Sequence, residues 1–459
     1  MVSLKKLFCV FFNIVFIGIF IIFILNIPNK LLSLLLIVLF TIFSLLIQKS
    51  KIDKKTSCIL LFCFAIFIRL LTLLFLKIEP YSDFAILLDA SSKLANGTNI
   101  LNESSYFLCW AYQTGFVLYQ SFILKIFNSV LALHILDCIF TASICLLIYI
   151  IGNIINEKNN KLPSILYCLY VYAITYTGVL TNQHIFTFLT LIAILILLKG
   201  SKFDKRKNII VGIILGIANI LRPESIVFLL SIVVYYIFSI ESKKDLKNVF
   251  ISILLIFISY IAITQIASFT IRVTNINKNG LNNNDPLWKF VCGSDYESAG
   301  SYSEKGLSVM GDKSLEKSFI IQNYQNLNLK SLVKFFIIKI NAFGALDAYY
   351  WVFPSTQGLE SIVNNCIAYD SSIYCFIILA VIFSSLVELK NNHNNGKFLL
   401  FAILLVNFVV YLFIEVQPRY SYTSKIIMFI LAGDGIFHML NFYKKLIAKL
   451  KRKDVINND

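Results

Sequence analysis

The sequence predicts an all-α polytopic membrane protein of about 12 transmembrane helices, with interfacial helices and one larger loop on a single membrane face. Three observations predict it. Of 459 residues, 58% are hydrophobic, 41 are Phe and only 14% are charged, with a mean hydropathy of +0.78. No soluble globule has that composition. The apolar residues come in runs near the ~20 that a helix needs to cross a bilayer. The excess of positive charge, +16 in all, gathers in alternate loops between the runs.

Spans are expected near 7–26, 31–47, 58–77, 129–151, 163–181, 184–199, 207–221, 224–240, 248–268, 372–389, 398–415 and 424–441. The first follows Lys5 and Lys6, yet it is longer than the apolar core of a signal peptide and lacks a small-residue cleavage site, so it remains a span. With a cytoplasmic N-terminus, Lys49 to Lys55, Lys158/Lys161, Lys199 to Lys207, Lys243 to Lys247, Lys390/Lys397 and Lys444 to Lys453 all fall inside. That is the positive-inside pattern. The alternation closes only if 114–128 lies along the outer surface. The aromatic stretch 330–353 must do the same, with Tyr349, Tyr350 and Trp351 at headgroup depth. The chain then divides into an N-terminal transmembrane region (1–268, with a first outer loop at 78–128) and a large outer loop (269–371). C-terminal transmembrane helices (372–443) and a basic cytoplasmic tail (444–459) follow. A multi-pass protein of the plasma membrane with both termini cytoplasmic is expected. Topology accounts for the lysines, so no nucleic-acid partner is expected.

Most of the ten cysteines fall inside spans, where they act as small apolar residues, and no structural disulfide is expected. His134, His184, His393 and His438 are scattered, which excludes a histidine metal site. Asn96-Gly97-Thr98 and Asn102-Glu103-Ser104 fit the glycosylation acceptor pattern, which is short enough to arise by chance. No internal repeat and no pair of matching interrupted helices is visible, which weighs against a transporter.

Polar residues gather where runs end on the outer side: Tyr81-Ser82-Asp83-Phe84, Asn182-Gln183-His184, Arg222-Pro223-Glu224 and Glu415-Val416-Gln417-Pro418-Arg419-Tyr420. Asp83 is the candidate general base, just past the third span where a hydroxyl and a lipid headgroup both reach it. Its competing role is plainer, since Ser82 or Asp83 also suits the cap of a helix starting at Phe84. Arg222 and Arg419 are candidates for a leaving phosphate, because a guanidinium offers it two parallel donors. Interfacial snorkelling is their alternative. Gln183 and His184 are candidates to orient an acceptor, with a structural turn as the other reading for His184. Arg69 and Asp137 lie at matched depth, roughly 12 Å below the outer surface at ~1.5 Å per residue, and are expected to pair. Otherwise Arg69 snorkels or bonds backbone carbonyls. There is no glycine-rich phosphate loop and no dinucleotide fingerprint, so a donor carried by a lipid phosphate fits better than a bound nucleotide.

These clusters, with Trp110-Ala111-Tyr112-Gln113-Thr114-Gly115-Phe116 and Trp288-Lys289-Phe290 through Gly300, resemble the GT-C superfamily of integral membrane glycosyltransferases. The likeness is to the bacterial relatives of the protein O-mannosyltransferases and aminoarabinose transferases (glycosyltransferase family 39), over most of 58–440. The resemblance implies a polyprenyl-phosphate sugar donor and an extracytoplasmic active site. It implies Asp83 as catalytic base, Arg222 and Arg419 at the donor phosphate, and Glu224, Gln183, His184, Glu415, Tyr420 and Trp110 around the substrates. The acceptor would be an envelope glycan, lipid or protein. The carboxylate doublet common in the family is absent, since Phe84 follows Asp83, so a divalent metal is left open. The rival function is a transporter or flippase of lipid-linked sugars, which needs ionisable groups at the midplane. A non-catalytic scaffold for polymer export ranks below it.

Overall fold

The computed structural model describes residues 2–27, 29–48, 50–157, 161–344, 348–353, 358–391 and 395–456. Lys49, Lys158 and His393 lie outside them. All the regular structure among the described residues is helical. In chain order the helices are α1 (Val2–Asn26), α2 (Lys30–Gln48), α3 (Lys54–Phe75), α4 (Asp83–Ala95), α5 (Ser105–Cys109), α6 (Thr114–Phe127) and α7 (Val130–Ile155). Then come α8 (Lys161–Cys168), α9 (Val171–Tyr176), α10 (Gln183–Leu198), α11 (Lys205–Leu221), α12 (Ser225–Phe238) and α13 (Lys243–Val273). The chain closes with α14 (Trp288–Ser294), α15 (Lys313–Gln325), α16 (Leu329–Gly344), α17 (Glu360–Asn391), α18 (Asn395–Phe413) and α19 (Tyr422–Ile456).

Among the described residues eight helices, α1, α2, α3, α7, α13, α17, α18 and α19, are long and apolar enough to cross a membrane. The expected spans at 184–199, 207–221 and 224–240 are the shorter helices α10, α11 and α12, of 16, 17 and 14 residues. At ~1.5 Å per residue they fall short of the ~30 Å apolar layer. The expected span at 163–181 does not form. It breaks into α8 and α9, and Asp370 of α17 supplies the physical reason. Its carboxylate accepts the Val171 and Tyr172 N–H groups at 3.0 and 2.7 Å, so the first donors of α9 are capped from a distant helix. Tyr349 Oη donates to the same carboxylate at 2.6 Å.

The helices α17 and α19 pack together and against α1, α2 and α7, while α11 lies between α10 and α13 and α12 lies on α18. Glycines set the closest approach: a Cβ at Gly435 would meet the Ala380 carbonyl at 1.7 Å. Helix α6, expected along the surface, buries Gly115, Phe116, Val117 and Gln120 against its neighbours and leaves Phe122, Ile126 and Phe127 exposed. Tyr349 and Trp351 do not sit in an outward belt. Both are buried within the protein, because Asp370 holds the Tyr349 hydroxyl and Trp351 stacks on Tyr81.

The expected Arg69–Asp137 pair is absent. Arg69 is fully buried, donates Nη1 to the Ala65 carbonyl of its own helix at 3.1 Å and lies 5.3 Å from the Tyr167 ring. Its Nε and Nη2 lack partners. Equal depth does not fix the direction a side chain takes around its helix, and Tyr167 of α8 occupies the side that Arg69 faces. The Cys145 and Cys168 sulfurs approach to 3.0 Å.

Candidate active site

At one end of the bundle, the ends of α3, α11 and α18 and the starts of α4 and α19 converge with the 269–371 loop. The loop is seated on the chain by backbone contact. The Glu415 N–H donates to the Lys289 carbonyl, and the Val416 N–H donates to the Gly300 carbonyl at 2.8 Å. Gly293 permits this, since a Cβ there would stand 2.4 Å from the Ile414 carbonyl carbon. Lys339 of α16 locks the seat, donating Nζ to the Gly293 and Ile414 carbonyls at 2.6 and 3.0 Å. Burial, with no carboxylate in contact, lowers the Lys339 ammonium to about 7.

Asp83 is the first residue of α4, and its carboxylate is 41% exposed. Neither alternative cap is made. Ser82 forms no side-chain bond to the helix, and the helix starts at Asp83, one residue earlier than expected. Ser82 has φ 53° and ψ −134°, a conformation that costs a residue with a Cβ about 1–3 kcal/mol. The turn is held from both sides: Tyr81 donates its hydroxyl to the Tyr350 carbonyl at 2.5 Å, and the Ala85 and Ile86 amides donate to the Ser82 carbonyl.

Arg419 Nη2 lies 3.6 Å from Asp83 Oδ2. Its guanidinium centre is 4.3 Å from the Trp351 ring and 5.3 Å from Phe84, a cation held between aromatic faces. Nε donates to Gln417 Oε1 at 2.8 Å, and Gln417 Nε2 donates to Glu415 Oε1 at 2.6 Å. Lys289 pairs with Glu415 and donates to Tyr420 Oη at 3.1 Å. Burial works to raise the Glu415 carboxyl, but Lys289 in contact, with Gln417 and Arg419, outweighs it and holds the carboxyl below the usual glutamate range. The result is a continuous polar chain, Lys289–Glu415–Gln417–Arg419–Asp83.

Arg222 is committed differently. It pairs with Glu224 and donates Nη1 to Asn182 Oδ1 at 2.7 Å, leaving only Nε without a partner. The Arg222 and Arg419 guanidiniums lie 5.9 and 5.4 Å from the Tyr420 ring, and Lys289 Nζ lies 5.3 Å from it. Three cations thus surround Tyr420, facing the carboxylates Asp83, Glu224 and Glu415.

Several expected residues take other places. Gln183 is buried, accepts from Tyr176 Oη and donates to the Arg419 carbonyl, so it positions the arginine's backbone. His184 is fully buried, with Nε2 3.0 Å from the Tyr176 carbonyl and Nδ1 3.3 Å from Tyr422 Oη. Both ring nitrogens are used within the protein. Trp110 packs on the small core of Trp288, Val291 and Cys292. Trp351, Lys289 and Gln417 join the site, although each was noted only as part of a motif or an aromatic stretch and given no role in it. The aromatic density of 348–353 was the signal for Trp351.

Around Asp83 the donor set does not suit a divalent metal: the nearest charged group is a cation, and Glu415 and Glu224 are held by Lys289 and Arg222. Among the described residues no three His, Cys, Asp or Glu side chains come together as metal ligands.

Residues 115–267, a third of the chain, match the family described as dolichyl-phosphate-mannose-protein mannosyltransferase. The fold matches the crystal structure of the Archaeoglobus fulgidus oligosaccharyltransferase tethered to an acceptor peptide containing the NVT sequon. The TM-score is 0.50 at 14% identity, over 86% of this chain and 51% of that one. The chain is thus similar to lipid-linked sugar transferases of the GT-C type over that third of its length, and to the oligosaccharyltransferase in fold. A second structure of the same oligosaccharyltransferase, in complex with Zn and sulfate, superposes with a TM-score of 0.48 at 13% identity, over 85% of this chain and 51% of that one. The chain spans about half the length of the solved structures it matches. No curated protein matches it.

Proposed function

We propose that the protein transfers a sugar from a polyprenyl-phosphate donor to an acceptor hydroxyl at the extracytoplasmic face of the plasma membrane. The supporting observation is the half-exposed Asp83 carboxylate beside Arg419 in a ring of cations around Tyr420. Asp83 takes the proton of the acceptor hydroxyl, its oxygen bonds to the anomeric carbon, and the bond from that carbon to the phosphate oxygen breaks. The lipid phosphate leaves with the electron pair. The charges fit this course. Three cations face three carboxylates at rest, so protonation of Asp83 leaves one cation uncompensated, and the leaving phosphate gains the matching negative charge.

Arg419 is the phosphate ligand of choice, because its Nη groups are not committed to a protein acceptor closer than Asp83. Arg222 is held by Glu224 and Asn182 and sets the field around Tyr420. Orientation of both reactants at the interface supplies much of the rate. The positive-inside distribution of lysines supports the outer face as the side of transfer.

The test is transfer in membranes supplied with a panel of labelled polyprenyl-phosphate hexoses. Asp83→Asn is expected to abolish transfer with unchanged folding, since the amide keeps the shape and loses the base. Transfer retained in Asp83→Asn overturns the assignment. Arg419→Lys is expected to weaken donor binding at least tenfold, about 1.4 kcal/mol, because an ammonium does not reproduce a planar fork.

A further inference from the structure

Beside the charged cluster lies a second space of about 230 Å³, between the outer-facing ends of α11 and α13 and both outer loops. Tyr112, Asn219, Pro223, Tyr260, Gln265 and Asn282 line it, and no Asp, Glu, Lys, Arg or His does. The side-chain amides of Asn219, Gln265 and Asn282 and the hydroxyls of Tyr112 and Tyr260 find no hydrogen-bond partner among the described residues. Gln265 and Asn282 are exposed and Asn219 is half-buried, so all three amides are open to a polar occupant of the cavity.

The walls are fixed in advance. Ser268 Oγ of α13 accepts the Leu281 N–H at 3.0 Å. Asn277, fully buried, donates to the Phe107 carbonyl and to Thr114 Oγ1 at 3.1 and 3.0 Å, tying the second outer loop to the first. At Gly280 φ is +62° and a Cβ would meet Ser268 Oγ at 2.4 Å, so the turn that forms one wall needs glycine.

We propose that this cavity binds one neutral saccharide unit of the acceptor, next to the unit whose hydroxyl reaches Asp83. The inference rests on the glycosyl-transfer reading above and assigns the acceptor as a carbohydrate. Each amide offers both a donor and an acceptor, which matches vicinal hydroxyls, and the tyrosine rings offer apolar faces to the C–H side of a pyranose. The lack of any charge in the lining excludes a phosphate or a uronic acid as the fitted group. An acyl chain would leave the amides unpaired. The volume, below the ~300 Å³ where drug-sized pockets begin, fits one ring. Tyr112 joins the two spaces: it lines the cavity, and its hydroxyl lies within electrostatic reach of Lys289, Tyr420, Asp83 and Glu415.

The experiment is saturation-transfer NMR on the full chain in nanodiscs, using methyl hexosides, neutral disaccharides and the matching uronic acids as probes. Binding of the neutral probes is expected in the wild type and in Asp83→Asn. It should weaken at least tenfold in Asn219→Leu/Gln265→Leu, and equally in Ile261→Trp, which fills the cavity while keeping the amides. Melting temperatures check that both variants fold. Three results overturn the inference: no neutral saccharide bound by the wild type, equal binding in both cavity variants, or uronic acids binding as well as neutral sugars. Displacement of the probe by a polyprenyl-phosphate hexose also overturns it, since the donor sugar would then own the cavity. Saccharide binding survives loss of the base, so a failed transfer assay and a failed binding assay are told apart.

Discussion

Gln417 is the hinge of the polar chain, and replacing it with glutamate tests the whole arrangement. Its amide donates to Glu415 at 2.6 Å and accepts from Arg419 at 2.8 Å. Gln417→Glu keeps the shape but turns the donor into an acceptor facing a carboxylate that is 3% exposed. The lost charge-assisted bond is worth about 1.5–3 kcal/mol. Two like charges at such contact repel by about 4 kcal/mol at an effective dielectric of 20. A stronger bond from Arg419 offsets about half of the total, leaving roughly 3 kcal/mol of destabilisation at pH 8. The deficit has a pH signature. One carboxyl of the new pair ionises later in the folded than in the unfolded chain, so the variant's stability relative to wild type falls as pH rises from the ordinary glutamate range. Thermal unfolding of the purified protein in detergent at pH 5 and pH 8 measures this, with Gln417→Leu as the comparator that loses both bonds without adding charge. A Gln417→Glu protein as stable as wild type at pH 8, or a deficit equal at the two pH values, refutes the chain of contacts.

The lowered Lys339 ammonium, at about 7, makes the unfolded chain the better proton binder between that value and the ordinary lysine value of 10.5. Stability should therefore rise with pH over that window. The melting temperature of wild type minus that of Lys339→Met is expected to climb from pH 6.5 to 9, and a flat difference removes Lys339 as its source. Ser82→Gly relieves the positive φ and should stabilise the protein by up to about 1 kcal/mol in a denaturant titration. It should also lower kcat more than it raises KM, because Asp83 loses a fixed approach. A less stable Ser82→Gly protein contradicts the strain.

The membrane class and most of the helices were legible because hydropathy records which segments avoid water, whatever they touch. The convergence of Asp83, Arg222, Arg419 and Glu415 was legible from sidedness alone, since all stand where apolar runs end on one face. Partner choice was not. Arg69 and Asp137 share a depth, yet rotation about a helix axis decides contact, and the Tyr167 ring took the place of the carboxylate. Gln183 and His184 lie in the right cluster but turn inward, a difference set by Tyr176 and Tyr422 across the bundle. Lys289 owes its role to Glu415, 126 residues on, and no local pattern announces such a pair. The break at 169–170 was hidden for the same reason, because its cap comes from another helix.

That cap sets an order of assembly. Asp370 is synthesised 199 residues after Val171, which at ribosomal rates means about 10–40 s during which the first amides of α9 have no partner. Until α17 enters the bilayer, residues 161–181 lack the group that ends one helix and starts the next. The donor turn at Asn182 and Gln183 then has no fixed base. Residues 115–267 are therefore not a self-sufficient folding unit, and a nascent chain halted before residue 370 should show protease-sensitive, unanchored α8 and α9. The late-made end of the protein completes an early-made stretch of the bundle, so the break between α8 and α9 is secured only once α17 has been made.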